Sequence, residues 1–136
     1  MVKKIIKQTV DSNKYIDFKN VATNFIEGAK VAYEFEYFQA AGLLAIHSAI
    51  AFADAITVKL KSEKCSGENH YEVLNLLRDS VPQNKNHTQA IKQFKNLIDH
   101  KNLISYTGDV YNKKDVDKIM KYYERFSSWA ITTLDQ

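Results

Sequence analysis

The segment from Phe38 to Leu60 constrains the fold of this chain most, because it is apolar almost all round and rich in small residues. A helix of that composition has to be surrounded by other helices, and its small side chains let neighbouring backbones approach closely. Its uncharged part, Phe38 to Ala53, is shorter than the ~20 residues that span a bilayer, and it contains the polar Gln39 and His47. We therefore predict a buried core helix and no membrane segment.

Apolar periodicity predicts four further helices around this core helix, one of them short. The first is amphipathic and starts between Asp11 and Asp17. Capping and breaker residues predict the limits of the other helices. The short third helix starts at Asn69, with Glu72 as its capping partner, and ends before Pro82. The fourth runs from about Thr88 to Gly108, and the fifth starts after Asn112, with Asp115 in its first turn. Residues 61–68 are polar and are predicted to be a loop, and we find no β-hairpin signal. The predicted fold is an all-α, up-and-down bundle of four long helices and one short helix.

The length of 136 residues is usual for one domain, so we expect residues 1–136 to form a single helical domain. The lone Cys65 cannot form an intrachain disulfide, and charged residues interrupt the basic N-terminus before a signal peptide develops. These features favour a cytoplasmic protein. The formal charge is +3, and its excess lies in residues 81–136, which carry nine basic and six acidic side chains. That excess alone does not indicate a nucleic-acid-binding protein.

His47 is the first candidate for chemistry, because a titratable ring in an apolar helix is able to bind a ligand or move a proton. We favour the alternative, a core histidine or one that faces a partner subunit, because no His or carboxylate lies three or four residues away. Asp54 lies two turns further on nearly the same face, too far for direct contact. His70, His87 and His100 form no recognisable metal site, and phosphate-loop, nucleophile-elbow and zinc-protease motifs are absent. We predict no metal and no cofactor.

The segment from Asp99 to Tyr106, at the end of the fourth helix, is the remaining constellation. Lys101 continues the apolar row of Phe94 and Leu97, so a charged group is brought towards the buried side of the bundle. Lys101 either contributes to a polar site or buries its methylene groups and extends its ammonium group to solvent.

The helix order and several soft motifs of residues 17–134 resemble the HEPN domain family of small prokaryotic helical bundles. The resemblance rests on Tyr37–Ala41 at the start of the core helix, Ala45–Ile50 around His47, Ala53–Ile56 around Asp54, His70, Lys101 and Asn102 through Tyr106, and Glu124–Trp129. It implies a HEPN-like bundle that forms a homodimer or pairs with a nucleotidyltransferase-type protein, as in toxin–antitoxin systems. It also implies RNA or a nucleotide as the ligand.

Family members that are metal-independent ribonucleases carry, in this helix, an arginine and a histidine that are separated by four to six residues. Lys101-Asn102 and Tyr106 stand at the matching positions of this chain. Lysine keeps the charge but lacks the planar fork of arginine, and tyrosine, with an ordinary pKa of ~10, is a poor proton shuttle at neutral pH. The resemblance therefore implies altered catalytic positions, with Lys101, Tyr106, His47 and Asp54 as the candidate ligand-binding residues.

Three functions stay open at this point. We prefer a non-catalytic HEPN-like interaction or nucleotide-binding module. The second is a metal-independent ribonuclease in which Lys101 neutralises phosphate and His100 moves the proton, although adjacent side chains point about 100° apart around a helix. The third is a plain helical-bundle scaffold without a ligand.

Overall fold

The computed structural model describes residues 6–67 and 69–136, apart from the side chain of Tyr106. Five α-helices account for most of the chain: α1 (Tyr15–Glu34), α2 (Phe38–Lys61), α3 (His70–Ser80), α4 (Lys85–Tyr106) and α5 (Lys113–Leu134). A short 3-10 helix (Ser12–Lys14) precedes α1, and two short strands, β1 (Lys7–Thr9) and β2 (Glu63–Cys65), complete the secondary structure. The prediction of an all-α bundle with four long helices and one short helix is confirmed.

Helix α2 occupies the centre of the bundle and packs against each of the other four helices. It is 24 residues long, so by length and composition alone it would be able to cross a membrane. However, 83% of its most apolar window is buried inside the protein. The structure therefore agrees with the predicted core helix. The complete helix is longer than the uncharged segment Phe38 to Ala53 from which its length was judged.

Asparagine side chains begin three of the helices. Asn112 and Asp115 form the predicted capping box of α5, in which each side chain accepts the other residue's backbone N–H. Asn69 caps α3 by accepting the backbone N–H of Tyr71. A capping box would use the N–H of the next residue, Glu72, as the sequence predicted. The predicted start of α4 near Thr88 is wrong, because Asn84 accepts the N–H of residue 87 and begins the helix at residue 85.

A small antiparallel ribbon corrects the prediction that residues 61–68 are only a loop. β1 and β2 pair in a register that places Lys7 opposite Cys65, and Lys7 forms an ion pair of 2.9 Å with Glu63. Neither strand exceeds three residues, so the alternation of apolar and polar side chains that identifies a strand has no room to develop. The ribbon covers the C-terminal end of α2.

Candidate functional site

A narrow strip of α2 is only half-buried although the surrounding helix is buried. From Ala41 to Val58 every residue is buried except Leu43, Leu44 and His47, which we call the α2 strip. These positions share one face of the helix because Leu43 and Leu44 lie four and three residues before His47. Within the described part of the chain, α1 makes no extensive packing with α3 or α4, which leaves this face of α2 incompletely covered.

His47 of the α2 strip belongs to a group of three basic side chains from three helices. The other two are His70, at the start of α3, and Lys101, in the second half of α4; we call the three residues the basic cluster. Burial lowers the pKa of both histidines, and the positive charge of Lys101 lowers both further. On the other side of His47, the ring of Phe25 of α1 lies 5.7 Å away, centroid to centroid.

Lys101 is only 7% exposed, as its place in the apolar row of α4 predicts. The environment lowers the pKa of His70 to about 4, with burial as the largest cause, followed by Lys101, His47 and Lys64. The Nδ1 atom of His70 is buried and has no hydrogen-bond partner among the described residues. Both histidines are therefore neutral at physiological pH and retain donor and acceptor nitrogens.

A hydrogen-bonded set on α3 and α4 borders the basic cluster. The hydroxyl of Tyr71 donates to Oδ1 of Asp99 over 2.5 Å, and Nζ of Lys95 lies 3.2 Å from Oδ2 of the same carboxylate. Asn102 is exposed, and its side chain lowers the pKa of Tyr71 against the larger raising effect of Asp99. Of the predicted motif residues, Lys101 is therefore buried and Asn102 faces solvent, while the side chain of Tyr106 lies outside the described residues.

Asp54 does not join His47 but pairs with the ribbon. Its carboxylate lies 3.8 Å from Nζ of Lys64 in β2, and burial raises its pKa to about 6 against the smaller opposing effect of Lys64. Lys64 in turn lowers the pKa of His70, so the pair stands beside the basic cluster without forming part of it. The sequence prediction that Asp54 and His47 are too far apart for direct contact agrees with this arrangement.

The two remaining histidines have structural contacts away from the basic cluster. Nδ1 of His100 lies 2.8 Å from the hydroxyl of Tyr111, and its ring also packs near Tyr122 of α5. Nε2 of the buried His87 lies 3.0 Å from the carbonyl oxygen of Arg78. His100 therefore points away from Lys101, with which the ribonuclease hypothesis paired it.

No three His, Cys, Asp or Glu side chains converge on a possible metal position within residues 6–67 and 69–136. Sequence reasoning named each member of the basic cluster but did not predict that His70 approaches His47 and Lys101. Comparison of the chain with models of protein families, with curated proteins and with solved structures gives no match.

Proposed function

We propose that this chain is a non-catalytic HEPN-like module that binds the phosphate of a nucleotide or of RNA at the basic cluster. The observation that carries the proposal is the buried Lys101, which lies near two neutral histidines beside the half-buried α2 strip. The proposed setting is the cytoplasm, where the buried thiol of Cys65 stays reduced.

The chemistry of the basic cluster suits an anionic oxygen ligand. The ammonium group of Lys101 interacts more strongly with an anion in a partly buried site than it would in water. Neutral His47 and His70 each offer a ring N–H, and His70 has a buried nitrogen with no partner among the described residues. A phosphate accepts hydrogen bonds from imidazole and ammonium groups alike, and lysine is a common point-charge ligand of phosphates in proteins.

The same features argue against ribonuclease catalysis. An efficient proton shuttle has a pKa close to the working pH, whereas the pKa of His70 is about 4 and that of His47 is lowered. Lys101 lacks the bidentate fork with which arginine stabilises a phosphate in the transition state. His100, the proton shuttle of the alternative hypothesis, is engaged by Tyr111.

The surroundings of the basic cluster suit an interface, and a second copy of this chain is the occupant that we propose. Leu43 and Leu44 are half-exposed beside His47, while Val21 and Leu103 are 45% and 40% exposed on the neighbouring helices. Apolar side chains around a few polar groups are typical of dimer interfaces. A nucleotidyltransferase-type protein is the alternative partner. If the chain binds neither a ligand nor a partner, it is a plain helical-bundle scaffold.

Ligand binding is tested by fluorescence anisotropy with a labelled single-stranded RNA and by calorimetry with a nucleotide. We expect Lys101→Met to weaken binding about tenfold, because the charge is lost while the chain length is kept. Lys92→Met removes an exposed charge from the same helix and is the matched control, for which we expect no change. Equal affinities of the two variants would contradict the proposed site.

Assembly is tested by light scattering coupled to size exclusion, with the protein purified alone and from cells of its source. We expect twice the chain mass of 15.6 kDa or a stable complex with a second protein. Leu44→Glu should separate the copies, whereas Val110→Glu, at a position 88% exposed, should not. A monomer that binds neither RNA nor nucleotide would support the scaffold, and RNA cleavage that Lys101→Met abolishes would support the ribonuclease.

A further inference from the structure

A separate cavity of about 310 Å³ lies between the first half of α4 and the second half of α5. Its size is at the lower end of the range for small-molecule sites. The polar and aromatic side chains that line it are three amides, one guanidinium group, two hydroxyls and one indole: Asn86, Gln89, Gln93, Arg125, Ser128, Thr132 and Trp129. The cavity is distinct from the basic cluster, because Gln93 precedes Lys101 by eight residues, or about 12 Å along α4.

Trp129 forms a fixed aromatic wall of this cavity. Its ring is held by the buried Phe126, with centroids 5.9 Å apart, and by the buried His87, with centroids 6.1 Å apart in an edge arrangement. A second cavity of about 230 Å³ is also lined by Trp129, together with Asn86 and Thr132. A rigid ring at a junction of two cavities is suited to stack on a planar ligand that extends from one into the other.

Gln93 lines the cavity, and one hydrogen-bonding atom of its amide is unsatisfied among the described residues. Its Oε1 is buried and has no partner within the described part of the chain, a state that is unfavourable in a folded protein. This oxygen is closed to solvent, so the Gln93 side chain has to turn before the oxygen meets a ligand in the cavity. Gln89 and Asn86 add two more amides to the lining. Asn and Gln amides match the adjacent donor and acceptor groups on the edge of a nucleobase.

Arg125 adds a positive charge one helical turn before Trp129, on the same side of α5. A ligand that stacks on the indole and pairs with the amides therefore places an attached anionic group within reach of the guanidinium. We propose that the Trp129 cavity binds a purine-type ring that carries an anionic group. The site is independent of the proposed function, because none of its lining residues belongs to the basic cluster.

The chain contains one tryptophan, so its fluorescence reports on this cavity directly. Purified protein is titrated with AMP, adenosine and inorganic phosphate, and free N-acetyl-tryptophanamide is titrated in parallel to correct for absorption by adenine. We expect saturable quenching by AMP, about tenfold weaker binding of adenosine and no quenching by phosphate, because the ring provides the stacking and Arg125 the added affinity. Quenching by phosphate alone, or none by AMP, would overturn the proposal.

Two variants assign the binding to named groups. Arg125→Gln should reduce the affinity for AMP to that for adenosine, while Lys121→Gln, one turn earlier and exposed, should leave it unchanged. Gln93→Leu should weaken both ligands about tenfold without lowering the melting temperature, because it removes a buried oxygen that lacks a partner. Lys101→Met should not change the quenching. An affinity for AMP that is unchanged in both Arg125→Gln and Gln93→Leu, or that is lost in Lys101→Met, would contradict the proposed site.

Discussion

Gly42 of α2 lies so close to Ile104 of α4 that a Cβ added to the glycine would be 2.8 Å from Cδ1 of the isoleucine. The same Cβ would lie 3.2 Å from Cδ1 of Ile119 in α5. Both isoleucines are buried, and interiors packed at crystal-like density leave little room for them to move. The absence of a side chain at Gly42 therefore sets how closely α2 approaches its two neighbours.

We expect Gly42→Ala to lower the free energy of unfolding by about 1–3 kcal/mol, because the overpacking outweighs the better helix propensity of alanine. Urea unfolding followed by circular dichroism measures the change. Ile104→Val removes the Cδ1 atom that the new methyl group would meet, so the double variant should be more stable than the sum of the two single changes predicts.

Gly28→Ala is the matched control on α1. A Cβ at Gly28 would lie 3.5 Å from Cδ1 of Leu44, which is ordinary van der Waals contact. This substitution should raise the free energy of unfolding by about 0.5–1 kcal/mol, since alanine loses less conformational freedom in a helix. If both alanine variants were stabilising, the close approach at Gly42 would be wrong.

A second prediction concerns the buried hydroxyl of Ser48. It donates to the carbonyl oxygen of Ala22 over 2.6 Å and lies 2.8 Å from the hydroxyl of Tyr123, which links α1, α2 and α5. Ser48→Ala should lower the free energy of unfolding by about 1–3 kcal/mol, because it leaves buried groups without this partner. Ser105→Ala, at an exposed position of α4, should change it by less than about 0.5 kcal/mol. Equal effects would refute the buried link.

The helices were predictable because their signals are local. The core helix was predicted from its apolar surface, because a solvent-exposed helix does not carry apolar residues all round. The start of α5 was predicted from Asn112 and from Asp115 three residues later, which form a capping box. The start of α4 was misplaced because Asn84 follows closely on Pro82, where the sequence is polar and the cap is not distinguished from a turn residue. The ribbon was missed because its strands are short and far apart in the chain.

The candidate site was predictable residue by residue but not as an arrangement. The burial of Lys101 follows from the row that it shares with Phe94 and Leu97, since that row must face the core. The approach of His70 to His47 depends on the angle at which α3 packs across α2. The strand β2 lies between these two helices in the chain, and no local sequence pattern predicts their packing angle. Long-range packing of this kind needs the structure.

A third prediction follows from the buried carboxylate of Asp54. Its pKa is raised from 3.8 to about 6, so between these values the folded chain binds this proton more tightly than the unfolded chain does. The resulting stabilisation is present below pH 3.8 and is lost as the pH rises through 6. Lys64 compensates only in part, because the pair is 3.8 Å apart and the desolvation of the carboxylate is the larger effect.

Asp54→Asn should therefore raise the free energy of unfolding relative to the parent at neutral pH, by about 2–3 kcal/mol at most. The difference between the two proteins should shrink as the pH falls from 7.5 to about 4, where the parent carboxyl is also neutral. Chemical unfolding at a series of pH values measures it, and Asp79→Asn, an exposed carboxyl, is the control. A difference that stays constant with pH would show that Asp54 titrates normally.

The last prediction tests the basic cluster without any ligand. Burial is the largest cause of the lowered pKa values of His47 and His70, and the charge of Lys101 is the next. Lys101→Met should therefore raise both pKa values, while burial keeps them below the ordinary value of 6.5. His100 is the internal control, because burial and then Lys118 lower its pKa, and Lys101 is not among the causes. Proton NMR titration of the imidazole C–H signals measures all three in one experiment. Equal shifts at His100 would indicate a general change in the fold, and unchanged values at His47 and His70 would mean that Lys101 does not face them.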